Sequence, residues 1–272
     1  MTTDQWLNNA IKKLAHAGVE LPQMEARAIL ESALEISREK LVASDFEFEP
    51  NNADDLLARR LELEPLAYIL GFKEFYGRDF RVDRRVLIPR PETETLIQCI
   101  VEAARTGMRC VDVGTGSGCV GITAQLELPE TQWTCTEFSP DALAVARHNA
   151  TELDANVDIV QCDLLEPFAP LSFDLIASNP PYVAEGDARL NPDVERWEPK
   201  GALFAGTDGF SVFRRLIEQA QNVLKPGGRL ILECGKGQAR GLVDLLDGWN
   251  PTTVRDLAGT ERVVVATKPS SG

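Results

Sequence analysis

Histidine is almost missing from this chain of 272 residues: only His16 and His148 occur, each inside a helical pattern. With that inventory a histidine-rich zinc centre and a Ser-His-Asp triad are both excluded as expectations. The six cysteines (Cys99, Cys110, Cys119, Cys135, Cys162, Cys234) contain no C-x-x-C pair, and several fall in candidate core segments. They read as buried, reduced thiols rather than a redox or metal motif. Basic residues are outnumbered, 28 Lys+Arg against 42 Asp+Glu, for a formal net charge of −14. A nucleic-acid enzyme usually carries a basic footprint, and none is present on the global scale. No apolar run is long enough to span a bilayer. The first residues, Met1-Thr2-Thr3-Asp4-Gln5, lack the basic and apolar regions of a signal peptide, so a cytoplasmic location is expected. Internal repeats and low-complexity tracts are absent too; only Ser270-Ser271-Gly272 looks like a loose tail.

What is present concentrates in a few short stretches. Asn179-Pro180-Pro181-Tyr182 follows an apolar run over residues 173–178 that reads as a buried strand. That places it at the carboxyl end of a sheet, the edge where open α/β sheets bind ligands. Two prolines remove two N–H donors and fix φ twice, and the residues before them are pushed towards extended conformations. The outcome is a stiff loop presenting carbonyl oxygens, one carboxamide and one phenol. Such a surface suits a planar –NH₂ group, although a double proline can equally well just end a strand.

A second motif bears on that choice. Cys110-Val111-Asp112-Val113 reads as a strand, followed at once by Gly114-Thr115-Gly116-Ser117-Gly118 and then a helix-compatible run over 119–126. Alternate glycines let the backbone turn tightly and approach a ligand, and a helix N-terminus favours polar or anionic groups. Gly116, Gly118 and Gly121 also satisfy the dinucleotide spacing G-x-G-x-x-G, so NAD and S-adenosylmethionine both remain candidates. The next strand ends on Glu137, whose carboxylate can accept hydrogen bonds from both ribose hydroxyls in either cofactor. Ser139-Pro140-Asp141 carries an N-cap serine, a proline at the first helical position and a first-turn acid. A helix cap explains Ser139 and Asp141 without a catalytic role. Asp163 sits at the tip of a third strand, either as a turn residue or as a partner for an adenine amino group.

Periodicity sets the organisation. Trp6, Leu7, Ala10, Ile11 and Leu14 recur at helical spacing, closed by Gly18; further helices are predicted from Pro22 through Leu34, after the cap Ser37, and over 53–63. Each apolar stripe needs a partner, which implies a small bundle. Residues 72–82, with a turn at Gly77-Arg78, read as a β-hairpin. From about Pro91 helices and strands alternate, implying a parallel sheet, and the last two strands, joined by a tight Ala-Gly-Thr turn, should pair antiparallel. The expected domains are a helical substrate-recognition unit over 1–70, a hairpin linker over 71–88 and a Rossmann-like α/β unit over 89–272. Arg78, Arg81, Arg84, Arg85 and Arg90 cluster around the linker. They are expected to form a solvated face, with contact to an acidic protein surface as the alternative.

On these motifs the chain resembles the peptide chain release factor N5-glutamine methyltransferases, the HemK or PrmC family. Besides the glycine and proline loops, the resemblance rests on Ile88-Pro89-Arg90-Pro91-Glu92-Thr93-Glu94, Pro65-Leu66-Ala67-Tyr68-Ile69-Leu70-Gly71, Trp197-Glu198-Pro199, Gly206-Thr207-Asp208-Gly209 and Asp256-Leu257-Ala258-Gly259 with Arg262-Val263-Val264. It implies a class I S-adenosylmethionine-dependent methyltransferase, mostly parallel with an antiparallel last strand, plus a small N-terminal helical bundle. It further implies that Asp112, Gly114, Thr115, Gly116, Ser117, Gly118, Glu137, Asp163, Leu164 and Asn179 bind S-adenosylmethionine, released as S-adenosylhomocysteine. Asn179, Pro180, Pro181 and Tyr182 would hold the substrate, with Asn179, Pro180 and Tyr182 catalytic and no metal. The implied partner is a class 1 release factor, methylated at the glutamine of its Gly-Gly-Gln loop by a monomer that binds neither nucleic acid nor membrane. A sister family methylates glutamine in a ribosomal protein, and N6-adenine methylation of nucleic acid uses the same proline loop; both stay as alternatives. Glu137 stands where relatives usually have aspartate, which keeps the carboxylate. Leu164 stands where some carry an aromatic, which leaves an aliphatic contact for adenine.

Overall fold

The structure is a computed structural model and describes residues 1–270. The chain divides into two compact units, Met1–Phe72 and a second that begins at Lys73. The first holds helices α1 (Thr3–His16), α2 (Pro22–Leu34), α3 (Arg38–Ala43), α4 (Asn51–Leu61) and α5 (Leu66–Leu70). A reciprocal Thr2–Gln5 capping box starts α1, Pro22 occupies the first turn of α2, and the Ser37 side chain caps α3. Their apolar stripes meet around Trp6, Ala10, Leu14, Ile29, Leu30 and Leu57. The Trp6 indole N–H finds its acceptor in Asp54 at 2.8 Å. The fourth helix stops at Leu61, two residues short of the predicted end, because Leu63 takes a left-handed φ of 63°. The short α5, closed by Gly71 at φ 83°, is not predicted from periodicity, since one turn carries too few apolar positions to show a period.

Strands β1 (Phe72–Phe75) and β2 (Arg78–Arg81) form the expected hairpin. Its turn is Tyr76-Gly77 rather than Gly77-Arg78, with φ of 52° and 76°. A two-residue loop that matches strand twist needs positive φ at both central positions, so Tyr76 accepts that conformation and Arg78 joins the strand.

After a 3-10 turn at Pro91–Thr93 come α6 (Glu94–Ala103), β3 (Arg109–Val113), α7 (Cys119–Glu127), β4 (Gln132–Glu137), α8 (Pro140–Glu152), β5 (Val157–Gln161) and β6 (Phe173–Ser178). They are followed by α9 (Pro192–Trp197), α10 (Lys200–Leu203), α11 (Ser211–Val223), β7 (Leu224–Glu233), α12 (Ala239–Leu245), β8 (Thr252–Arg255) and β9 (Glu261–Thr267). The seven-stranded sheet runs β5-β4-β3-β6-β7-β9-β8. All pairs from β5 to β7 are parallel, and β9 runs antiparallel to both β7 and β8. This is the mostly parallel sheet expected from the sequence, with the last strand reversed.

Both sheet faces are covered, so the strands alternate between two cores. Val111, Ile176, Leu230 and Leu232 pack with Phe213, Leu216 and Ala220 of α11. Cys110, Leu175, Ala177 and Ile231 pack with Leu96, Ile97 and Ile100 of α6 and Ile122 of α7. The six cysteines are free thiols, and all but Cys162 are buried. No helix among the described residues is long and apolar enough to cross a membrane. Strand order reverses around β3, whose neighbours are β4 and β6. The crevice at the carboxyl ends of these strands is the ligand position of such sheets.

Candidate active site

The glycine loop leaves β3 at Val113 and is stitched to β4, since the Gly114 and Thr115 N–H groups both donate to the Thr136 carbonyl at 2.9 Å. Gly114, Gly116 and Gly118 have φ of 71°, 56° and 85°. The glycines serve different ends. A Cβ on Gly114 or Gly116 would meet nothing within 4 Å, whereas one on Gly118 would lie 2.5 Å from Ile122 Cδ1 and one on Gly121 2.4 Å from Cys135 Sγ. The first two keep space open, Gly118 makes room for Ile122 of α7, and Gly121 allows α7 to pack on the sheet. Beneath the loop Asp112 is fully buried, and its Oδ2 accepts from the Thr115 hydroxyl and from the Gly121 N–H at 2.9 Å. Burial pushes its carboxyl up to about 6. Asp112 and Thr115 therefore fasten the loop to α7 while also lining the crevice. Ser117 is anchored through its carbonyl, which accepts from Asn149 Nδ2 at 2.8 Å.

Glu137 ends β4 and binds two backbones at once: Oε2 accepts from Gly116 N–H and Oε1 from Ser139 N–H, both at 3.0 Å. Ser139 caps α8 as the sequence indicates. These groups border a cavity of about 510 Å³, also lined by Phe138, Asp163, Leu164, Asn179, Pro181 and Arg215. Asp163 is already engaged, its Oδ2 accepting from Arg215 at 2.7 Å. Leu164 takes a left-handed φ of 52° beside it.

The proline loop is joined to the glycine loop through Ser178, whose hydroxyl donates to the Val113 carbonyl at 2.6 Å. Asn179 Nδ2 donates to Thr93 Oγ1 at 3.2 Å. One of its two N–H groups is so used, and the carboxamide oxygen is left to accept. Asn179 and Pro181 line the cavity; Pro180 and Tyr182 are not among its lining residues. Gly209 and Gly235 admit the tyrosine, because a Cβ on the first would lie 2.4 Å from the Tyr182 carbonyl and on the second 3.0 Å from its ring. The same carbonyl accepts from Gln238 Nε2 at 2.9 Å. Burial pushes the Tyr182 phenol well above its usual value, so it is no base at neutral pH.

Sequence reasoning missed Thr93 and Gln238. Of the arginines, Arg81, Arg84 and Arg85 are exposed, as a solvated face requires, and Arg78 and Arg90 are half-buried. Arg78 pairs with Glu127 at 2.7 Å, Arg85 with Asp83 at 2.6 Å and Arg90 with Glu198. Arg84 stacks 4.2 Å over the Trp197 ring, and Arg81 Nη1 lies 3.5 Å from His148 Nε2. Asp83 apart, these partners are distant in sequence, which local pattern does not reveal. Arg85 and Arg90 line the cavity as well.

A PrmC N-terminal domain matches residues 5–71 and a methyltransferase small domain residues 91–194. The release factor glutamine methyltransferase of Koribacter versatilis is 40% identical, the alignment covering 100% of both chains. That of Neisseria gonorrhoeae is 39% identical over 97% of each. The chain belongs to the release factor glutamine methyltransferase family. It is a methyltransferase, and the fold agrees with that. A methyltransferase from Pyrococcus furiosus superposes at TM-score 0.55 with 20% identity over 79% of this chain and 99% of that one. The Thermus thermophilus 16S rRNA N2 G1207 methyltransferase, solved with AdoMet and guanosine, superposes at 0.53 with 17% identity, over 72% and 49%.

Proposed function

We propose that this methyltransferase moves the methyl group of S-adenosylmethionine to the side-chain amide nitrogen of the glutamine in the Gly-Gly-Gln motif of class 1 release factors. The observation that carries the reading is Asn179: one of its N–H groups holds it to Thr93, and its oxygen can serve as an acceptor at a cavity that the glycine loop also lines. The cavity residues suit the cofactor chemically. Gly114 and Gly116 leave room for close approach, Glu137 retains lone pairs for ribose hydroxyls, Asp163 offers an acceptor to the adenine amino group, and Leu164 gives an apolar wall. When bound, S-adenosylmethionine supplies an electrophilic methyl on a sulfonium. Glu137→Ala removes the ribose acceptor and frees the Gly116 N–H together, and should weaken cofactor binding by about 1.5–3 kcal/mol in calorimetry.

A carboxamide nitrogen is a poor nucleophile because its lone pair is delocalised. Asn179 Oδ1 and the Pro180 carbonyl accept the two amide hydrogens of the substrate, orient the nitrogen and favour the positive charge that grows on it. Tyr182 packs against the amide plane. With the cofactor bound, transfer of its methyl to the nitrogen would break the carbon–sulfur bond and release S-adenosylhomocysteine, and the N-methylated amide would give its extra proton to water, so no side-chain base is needed. The protein works in the cytoplasm in this reading, where release factors act.

Labelled cofactor offered separately to release factor, ribosomal protein and DNA tests the reading. Label should enter the release factor; label in DNA alone or ribosomal protein alone would transfer the assignment to that substrate. The residues 1–70 unit is read as the part that recognises the protein substrate. Its removal should leave cofactor affinity near wild type while release factor methylation falls steeply, and full methylation by a folded truncated enzyme would refute that role.

A further inference from the structure

Pro180 and Pro181 lack backbone N–H groups, so the loop that carries Asn179 cannot be fastened by donors of its own at those positions. It has to be held at its two ends. At the near end the Ser178 hydroxyl donates to the Val113 carbonyl at 2.6 Å. At the far end the clasp is Gln238, the residue before helix α12, which takes no part in the mechanism above. Its Nε2 donates to the Tyr182 carbonyl and its Oε1 accepts from the Gly235 N–H, both at 2.9 Å. One carboxamide thus ties the proline loop to the turn after β7, across 56 residues of chain. The clasp has a firm base: the Gln238 N–H donates to the Gly235 carbonyl at 3.0 Å, and its carbonyl accepts from the Leu242 N–H at 3.1 Å.

Two glycines make room for this contact. A Cβ on Gly235 would lie 2.7 Å from Gln238 Oε1 and 3.0 Å from Tyr182 Cδ2. One on Gly209 would lie 2.4 Å from the Tyr182 carbonyl oxygen and 2.8 Å from Gln238 Nε2, pressed against acceptor and donor at once. Gly209 closes the Gly206-Thr207-Asp208-Gly209 stretch, which lines no part of the cavity. Its room for the Gln238–Tyr182 bond gives that glycine a purpose.

We propose that Gln238 is a positioning residue for methyl transfer: by holding the Tyr182 carbonyl it sets where the Pro180 carbonyl, two residues back, stands against the substrate amide. The inference rests on the proline loop being the part that holds that amide. Two carbonyls of one loop then have separate duties. That of Tyr182 is turned to Gln238, and that of Pro180 is kept for an amide hydrogen of the substrate. Pro181 lies between them with its φ fixed by the ring, so the chain has little freedom to absorb a shift of Tyr182. The clasp has to be a donor at Nε2, because a carboxylate of the same shape would set acceptor against acceptor.

Gln238→Glu keeps the shape and the acceptor for the Gly235 N–H and, above neutral pH, removes only the donor; Gln238→Met removes both. Each should lower kcat by roughly 10- to 100-fold, since a misplacement of about 1 Å can cost about 10² in rate. Cofactor affinity and KM for the release factor should stay at wild-type values, because neither Gln238 nor Tyr182 lines the cavity. Gly209→Ala should reproduce the loss with Gln238 intact, and the Gly209→Ala/Gln238→Met double variant should be no worse than the worse single one. Wild-type kcat in Gln238→Glu would overturn the proposal, as would additive losses in the double variant, or a fall in kcat matched by an equal loss of cofactor binding. The Gln238 side-chain amide gives a reading that needs no substrate. In the wild type one Nε2 proton should exchange slowly with solvent; both exchanging as fast as those of an exposed glutamine would overturn the proposal even where no variant folds. If the wild type labels ribosomal protein or DNA instead of the release factor, the proposed substrate is wrong, and the clasp is judged by the same variants on the labelled substrate and by that proton.

Discussion

Asn179→Ala should bind S-adenosylmethionine almost as tightly as the wild type and methylate almost nothing. The side chain lies where the glycine loop and the proline loop meet, held by one N–H to Thr93 at 3.2 Å. What it has left to offer is its oxygen and a second N–H, and in the proposed mechanism the oxygen acts on the reacting nitrogen. Acceptors or donors placed against charge that develops in the transition state are worth about 10²–10³ in rate, and the loss should fall on kcat. Mass spectrometry of the Gly-Gly-Gln peptide, alongside calorimetry of the cofactor, separates the two effects. Equal loss of binding and turnover would mean that Asn179 holds the cofactor rather than the amide. Asn179→Asp is the more revealing change. It keeps an oxygen for the substrate but removes the N–H that meets Thr93. Its carboxylate adds negative charge beside the sulfonium, so cofactor binding should persist while the amide is misplaced.

The sequence made local features legible and left long-range ones hidden. Helix α2 and strand β6 fall where periodicity and the flanking prolines put them, Pro22–Leu34 and Phe173–Ser178. Each is specified by its own residues: a proline fit for a first turn, an apolar run bounded by a rigid loop. The loop residues that line the cavity follow from the same logic, because strand ends in a parallel sheet converge on one edge. The partnership of Thr93 with Asn179, 86 residues apart, and the burial of Glu233 could not be found that way. No local pattern marks a glutamate as buried. The nearest signal was Glu233 closing an apolar strand, a polar residue where the run gave no reason for one. The arginines show the same limit. Arg81, Arg84 and Arg85 are exposed, as a solvated face requires, but the partners of Arg78 and Arg90, Glu127 and Glu198, are supplied by segments far along the sequence.

Gly116→Val should abolish S-adenosylmethionine binding in a protein that still folds. The position has φ of 56°, so a residue with a Cβ costs about 1–2 kcal/mol there, somewhat more when β-branched. The added atoms do not strike the protein, since a Cβ on Gly116 meets nothing within 4 Å. They extend instead into the space beside Glu137, and the Gly116 N–H that Glu137 accepts is retained. The damage should therefore appear as lost affinity with a small drop in melting temperature. Gly121→Ala makes the contrast. Its Cβ would lie 2.4 Å from Cys135 Sγ and 3.1 Å from Asp112 Cβ, so the smaller substitution should harm the fold more than the larger one does. Calorimetry and thermal melting of both variants decide the matter. A folded Gly116→Val enzyme with unchanged affinity would remove the glycine loop from the cofactor site. Two glycines in one loop should thus fail differently, because Gly116 leaves space for a ligand and Gly121 leaves space for the protein itself.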